Sequence, residues 1–179
     1  MSQINGELPL EIERKFLIKR PDETVLGAVP GAYKYEIEQM YLPETPEGEH
    51  PRIRRRVGDS GVECFYTVKR KISALTRVEI EREITPDEYD ALAAEAGASA
   101  AVIKKTRWCI PSGDHVAEVD IYPFWLRTAV AEVELESEDA PYELPAVLEV
   151  VREITGESRF LNRDMALELQ RNGYVKEEI

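Results

Sequence analysis

Cysteine is almost absent from this chain. Its 179 residues include only Cys64 and Cys109. Two isolated cysteines make neither a disulfide framework nor a zinc site. Histidine is equally scarce, and neither His50 nor His115 sits at metal-ligand or catalytic-triad spacing, so both read as loop residues. No apolar run approaches the length of a membrane span, and the amino terminus lacks an apolar signal segment, so the expected location is cytoplasmic. Basic residues are outnumbered, 23 against 35 acidic ones, for a formal net charge of −12. That field disfavours non-specific attraction to nucleic acid or to an acidic membrane. Repeats, low-complexity tracts and linkers are also missing, which favours a single domain over residues 1–179.

Alternation is abundant. Eight segments read as strands, roughly 8–19, 33–42, 51–58, 62–70, 76–84, 101–110, 114–122 and 128–137. Turns at Gly58-Asp59-Ser60-Gly61 and Pro111-Ser112-Gly113-Asp114 join neighbours antiparallel. Thr85-Pro86-Asp87-Glu88 is a capping box that opens a helix, and Gly97 can close it. A carboxy-terminal helix is expected at about 158–172, with Ser158 as cap and Gly173 as stop. Shorter helical segments are expected near 22–29 and 144–150.

In a strand, residues two apart share a face. One parity in each strand is densely charged. It collects Glu11, Glu13 and Lys15; Gln39 and Tyr41; Arg52, Arg54 and Arg56; Glu63, Phe65, Thr67 and Lys69; Arg77, Glu79, Glu81 and Glu83; Lys105 and Arg107; Glu118 and Asp120; and Glu132, Glu134 and Glu136. The opposite parity is mostly apolar. Two architectures satisfy this pattern. One is an antiparallel sheet with a solvated charged face, where cross-strand ion pairs add modestly. The other closes the strands around a wet, charged interior. Same-sign triplets fit the second better if each has a ligand of opposite charge. Arginine and lysine suit phosphate oxygens, and clustered carboxylates suit a hard divalent cation. Periodicity alone does not choose between them.

The ordered motifs do add something. Glu11-Ile12-Glu13-Arg14-Lys15 matches an ExExK signature. Gln39-Met40-Tyr41-Leu42, Arg52-Ile53-Arg54, Thr67-Val68-Lys69, Arg77-Val78-Glu79-Ile80-Glu81, Lys105-Thr106-Arg107-Trp108, Glu118-Val119-Asp120 and Glu132-Val133-Glu134 follow in order. Glu153-Ile154-Thr155 and Asn162 complete the set. Together they resemble the CYTH, or triphosphate tunnel metalloenzyme, superfamily over nearly the whole chain, and its compact bacterial tripolyphosphatase-like branch in particular.

The resemblance implies an α+β fold dominated by β structure: an eight-stranded antiparallel closed tunnel, or barrel, with a charged interior and helices packed outside. It implies a hydrolase dependent on Mg²⁺ or Mn²⁺ that cleaves a terminal phosphoanhydride, most simply of inorganic tripolyphosphate. Arg52, Arg54, Arg56, Lys69, Arg77, Lys105 and Arg107 would bind the phosphates. Glu11, Glu13, Glu132 and Glu134 would hold metal. Lys15, Glu79, Glu81 and Asp120 are the catalytic candidates, Lys15 by assisting the grip on the phosphates and the three carboxylates by positioning water or a second ion. Rival readings are a thiamine triphosphatase, a class IV adenylyl cyclase (whose His-Phe motif is not found here) and a non-catalytic polyphosphate or nucleotide-binding module. The expected partner is a triphosphate-bearing small molecule, with a homodimer through outward apolar surface a reasonable addition.

Overall fold

The computed structural model describes residues 10–45, 49–71 and 76–178; of these, the side chains of 10–11, 69–71 and 76–79 are not described. Among the described residues nine strands form one antiparallel sheet. They are β1 (Leu10–Lys19), β2 (Tyr33–Tyr41), β3 (Pro51–Gly58), β4 (Gly61–Lys71), β5 (Thr76–Ile84), β6 (Ala101–Ser112), β7 (His115–Ile121), β8 (Thr128–Glu134) and β9 (Val150–Glu153). Among the same residues three α-helices accompany them: α1 (Glu23–Gly27), α2 (Pro86–Ala96) and α3 (Asn162–Asn172). Among the described residues no helix is long and apolar enough to cross a membrane.

The strand order is β5-β4-β3-β2-β6-β7-β8-β1-β9. This corrects the expected eight-stranded closed tunnel: there is a ninth strand, and the sheet is not closed into a barrel. The reason lies in the outer edge of β1. Its first part pairs with β5 over only three positions, Leu10–Ile12, while its later part, Phe16–Ile18, is occupied by β9. A strand edge offers each backbone donor and acceptor once. β9 therefore takes the hydrogen bonds that a full-length β1–β5 seam would need.

The two faces of the curled sheet follow side-chain parity. On the convex face, Phe16, Ile18, Trp108, Ile110, Val119, Ile121, Ala129 and Ala131 pack beneath Leu26 of α1 and Leu148. Ile53, Cys64 and Ile84 pack beneath Tyr89 of α2. The α2 capping box forms as the sequence predicts, with Thr85 Oγ1 accepting from Glu88 N over 3.1 Å and Glu88 Oε2 accepting from Thr85 N over 2.7 Å.

Helix α3 departs from expectation. It lies on the concave face instead of outside. Leu17, Val130 and Ile103 share the parity of Lys15, Glu132 and Lys105, yet they pack against Met165 and Ala166 of α3 with Tyr122, Trp125 and Phe160. The helix starts at Asn162, after a separate 3₁₀ turn at Ser158–Phe160, because Leu161 is extended at φ −73°, ψ 133°. Gly173 ends it in the left-handed region at φ 76°, where a side chain would be strained. The helix expected near 144–150 is absent; Leu148 N donates to Pro145 O in a single turn.

Candidate functional site

The charged half of the concave face surrounds one cavity of about 570 Å³. Strand pairing places its walls. Arg52, Arg54 and Arg56 come from β3, Gln39 and Tyr41 from β2, Lys105 and Arg107 from β6, and Glu118 from β7. Glu132 and Glu134 of β8 and Glu13 and Lys15 of β1 close the acidic side, and Glu81 of β5 faces the arginines. Alternation alone brings these side chains together, since each projects at two-residue intervals from a strand whose other face is packed.

The deepest charges form one network. Asp120 is completely buried and accepts from Arg107 twice, through Nε at 2.6 Å and Nη2 at 2.7 Å. It also takes the Lys105 ammonium. Arg107 reaches on to Glu132 over 2.9 Å and to Glu118. Glu132 in turn meets Lys15 Nζ at 2.7 Å, and Glu13 lies 3.7 Å from the same ammonium. Burial by itself would push Glu132 up, but Lys15, Arg107 and Lys105 hold it well below the usual carboxylate range. Burial likewise disfavours a charged Lys15, and Glu132 and Glu13 overcome it, so its pKa is raised. Lys105 goes the other way. Burial and the neighbouring Arg107 push it down to about 8, against the opposing pull of Asp120 and Glu132.

The arginine wall is tied differently. Arg54 Nη2 donates to both oxygens of Glu81, at 3.1 and 2.9 Å, and Thr67 Oγ1 donates to Glu81 Oε2 over 2.8 Å. Arg56 donates to Glu63 over 2.7 Å and lies between the rings of Tyr35 and Phe65. Burial and the positive charge of Arg52 together lower the pKa of Arg54. A polyanion would relieve that crowding of cations.

Two like-charged pairs mark the acidic side. Glu13 stands directly opposite Glu134, and Glu118 directly opposite Glu132. Opposed like charges destabilise a sheet unless a counter-charge joins them. Arg107 joins the second pair. All-oxygen donors of this kind suit a hard divalent ion. In the present arrangement no group of three or more acidic, histidine or cysteine side chains is disposed to hold a metal among the described residues.

The expected site residues therefore divide. Lys15, Glu81, Arg52, Arg54, Arg56, Lys105, Arg107, Glu13, Glu132 and Glu134 come together around the cavity. Asp120 lies beneath it, behind Lys105 and Arg107. The side chains of Glu11, Lys69, Arg77 and Glu79 fall outside the described residues; their backbones pair Glu11 with Arg77 and Lys69 with Glu79. Other lining residues had no assigned role: Gln39, Tyr41 and Glu118 share the charged parity, whereas Leu161, Asn162, Arg163 and His50 do not belong to it. Arg163 and Asn162 sit at the start of α3, and His50 accompanies them, 3.4 Å from Arg163 Nη2. The one sequence signal for the α3 pair was the place of Asn162 in the closing motif. For His50 it was adjacency to the arginine strand.

No family model matches the chain, and no curated protein matches it in sequence. Solved structures do. The inorganic triphosphatase NE1496 is 28% identical, with 88% of this chain aligned to 97% of that one at a TM-score of 0.55. The PH1819 protein of Pyrococcus horikoshii is 24% identical, over 72% and 80% of the two chains, at 0.54. HpAC1 from Hippeastrum, described as an adenylyl cyclase with a dominant triphosphatase activity, is 17% identical, over 71% and 80%, at 0.52. The last two likenesses are of fold alone.

Proposed function

We propose that the chain is a member of the CYTH, or triphosphate tunnel metalloenzyme, superfamily and a divalent-metal-dependent triphosphatase that cleaves a terminal phosphoanhydride of inorganic tripolyphosphate. The observation that carries this reading is the lining of one cavity by cations, among them Arg52, Arg54, Arg56, Lys105 and Arg107, facing the carboxylates Glu13, Glu132 and Glu134. A pure anion binder gains nothing from those carboxylates, which repel its ligand. A 28%-identical inorganic triphosphatase aligned over nearly its full length supports the same reaction. We take the whole of residues 1–179 as one such domain, working in the cytoplasm.

In this reading Arg52, Arg54 and Arg107 bind phosphate oxygens through their planar forks. Lys105 and Lys15 add point charges near the cavity floor. These groups stabilise charge as it spreads over the oxygens of the transferring phosphoryl group. Glu13, Glu132 and Glu134, with Glu11, would hold Mg²⁺ or Mn²⁺. A bound ion of that kind supplies further positive charge to the phosphate and acidifies the attacking water. Glu81, which lines the cavity, would orient that water. Asp120, which has no access to the cavity, acts by fixing Arg107 and Lys105.

The test is phosphate release from inorganic tripolyphosphate with Mg²⁺, with Mn²⁺ and with EDTA, alongside thiamine triphosphate and ATP. Turnover should need the metal and favour tripolyphosphate. Glu13→Gln should cut turnover at least 100-fold and leave the melting temperature within a few degrees. Preferred turnover of thiamine triphosphate, or cyclic AMP from ATP, would reassign the substrate. Tight tripolyphosphate binding with no phosphate release under any metal would reduce the protein to a binding module.

A further inference from the structure

The concave face changes character along its length. Beyond Lys15, Glu132 and Lys105, the same rows continue as Leu17, Val130 and Ile103, sealed by Phe160, Met165 and Ala166 into a dry plug. A phosphate chain inside the cavity stops where this plug begins, at Asn162 and Arg163.

Asn162 is held there from below. Tyr122, fully buried, donates its hydroxyl to Asn162 Oδ1 over 2.7 Å. The amide oxygen is thereby engaged, and the amide nitrogen has no acceptor among the described residues. The Tyr122 ring also lies 6.0 Å from Lys105 Nζ, so one aromatic side chain supports two donors at the cavity floor. An asparagine fixed by its oxygen presents two N–H donors toward a ligand, which fits an anion.

Resting on the triphosphatase reading above, we propose that Asn162 is a specificity-determining residue, donating to the leading terminal phosphate of the substrate, and that Tyr122 is its positioning residue. The substrate class is then a short polyphosphate, or a triphosphate ester, with a free terminal phosphate that enters first.

Asn162→Asp separates this role from a structural one. Aspartate keeps the oxygen that accepts from Tyr122 and replaces the donor with a carboxylate oxygen that repels phosphate. The melting temperature should stay within a few degrees, while KM for tripolyphosphate rises about 100-fold or more and stabilisation of the protein by added tripolyphosphate disappears. Asn162→Ala should raise KM about 10-fold, the loss expected for one hydrogen bond to an anion. Tyr122→Phe should raise it less, and the double variant should be no weaker than Asn162→Ala alone. An Asn162→Asp protein that binds tripolyphosphate as wild type does, or effects of Tyr122→Phe and Asn162→Ala that multiply, would overturn the assignment. Absence of turnover by the wild-type protein would instead overturn the functional reading on which it rests.

Discussion

Lys19 and Lys105 each hold a carboxylate, one at the rim of the sheet and one at the floor of the cavity. Lys19 and Glu149 are 62% and 67% exposed, whereas Lys105 and Asp120 are 0% exposed. At the rim, water solvates both partners whether or not they meet, and the attraction is screened. At the floor the charges have surrendered their water and depend on each other. Arg107, Glu132 and Lys15 extend that dependence to two further strands, β8 and β1. The same contact is therefore a surface detail in one place and a structural commitment in the other.

The largest effect should follow from breaking the floor. Asp120→Asn leaves Lys105 and Arg107 facing a neutral amide in a buried site. Loss of about 3–5 kcal/mol of unfolding free energy is expected, because an uncompensated buried charge remains. Urea denaturation measures it. Adding Lys105→Met removes one of the stranded cations and should recover part of the loss. If the double variant is as unstable as the single one, burial of the ammonium is not the source of the cost.

How much of this was visible in the chain itself differs by level. Strands β2 to β8 were legible because each alternates a packed parity with a charged one. The start of α2 was legible because Thr85 and Glu88 act locally. β9 was not, since four residues are too few to establish a period, and its partner is chosen by the free edge of β1. The missing barrel closure has the same cause. Among the site residues, parity brought ten of the expected members to one cavity, but it could not rank depth. Glu118 and Asp120 share a strand and a face, yet one lines the cavity and the other lies fully buried beneath it. Depth depends on tilt and on what plugs the concave side. A clue to the plug was present: Leu17 continues the row of Glu13 and Lys15, Val130 precedes Glu132, and Ile103 precedes Lys105. Each charged row turns apolar toward one end, which calls for a cover on that half of the concave face.

A subtler effect comes from pH. Burial and Arg107 hold the Lys105 pKa at about 8, below its ordinary 10.5. The unfolded chain keeps that proton until the pH passes 10.5. Between about 8 and 10.5 the unfolded state thus binds more protons, and stability rises with pH on this account. The penalty is fully present below that window and lost above it. The unfolding free energy of the wild-type protein should therefore rise relative to Lys105→Met from pH 8 to pH 10. A falling difference would mean that Asp120 outweighs burial, which would make the floor pair stabilising in its own right.

The smallest effect belongs to the rim, and its smallness is the sharpest form of the contrast. Lys19→Ala removes an ion pair but strands nothing, because Glu149 remains open to water. The backbone bond between Lys19 N and Glu149 O, 2.9 Å long, survives the substitution and keeps the approach to β9 in place. The expected change is about 0.5 kcal/mol or less, shrinking further in high salt. Urea denaturation at low and high ionic strength reads both quantities. A cost near that of Asp120→Asn, insensitive to salt, would show that exposure does not separate the two regions.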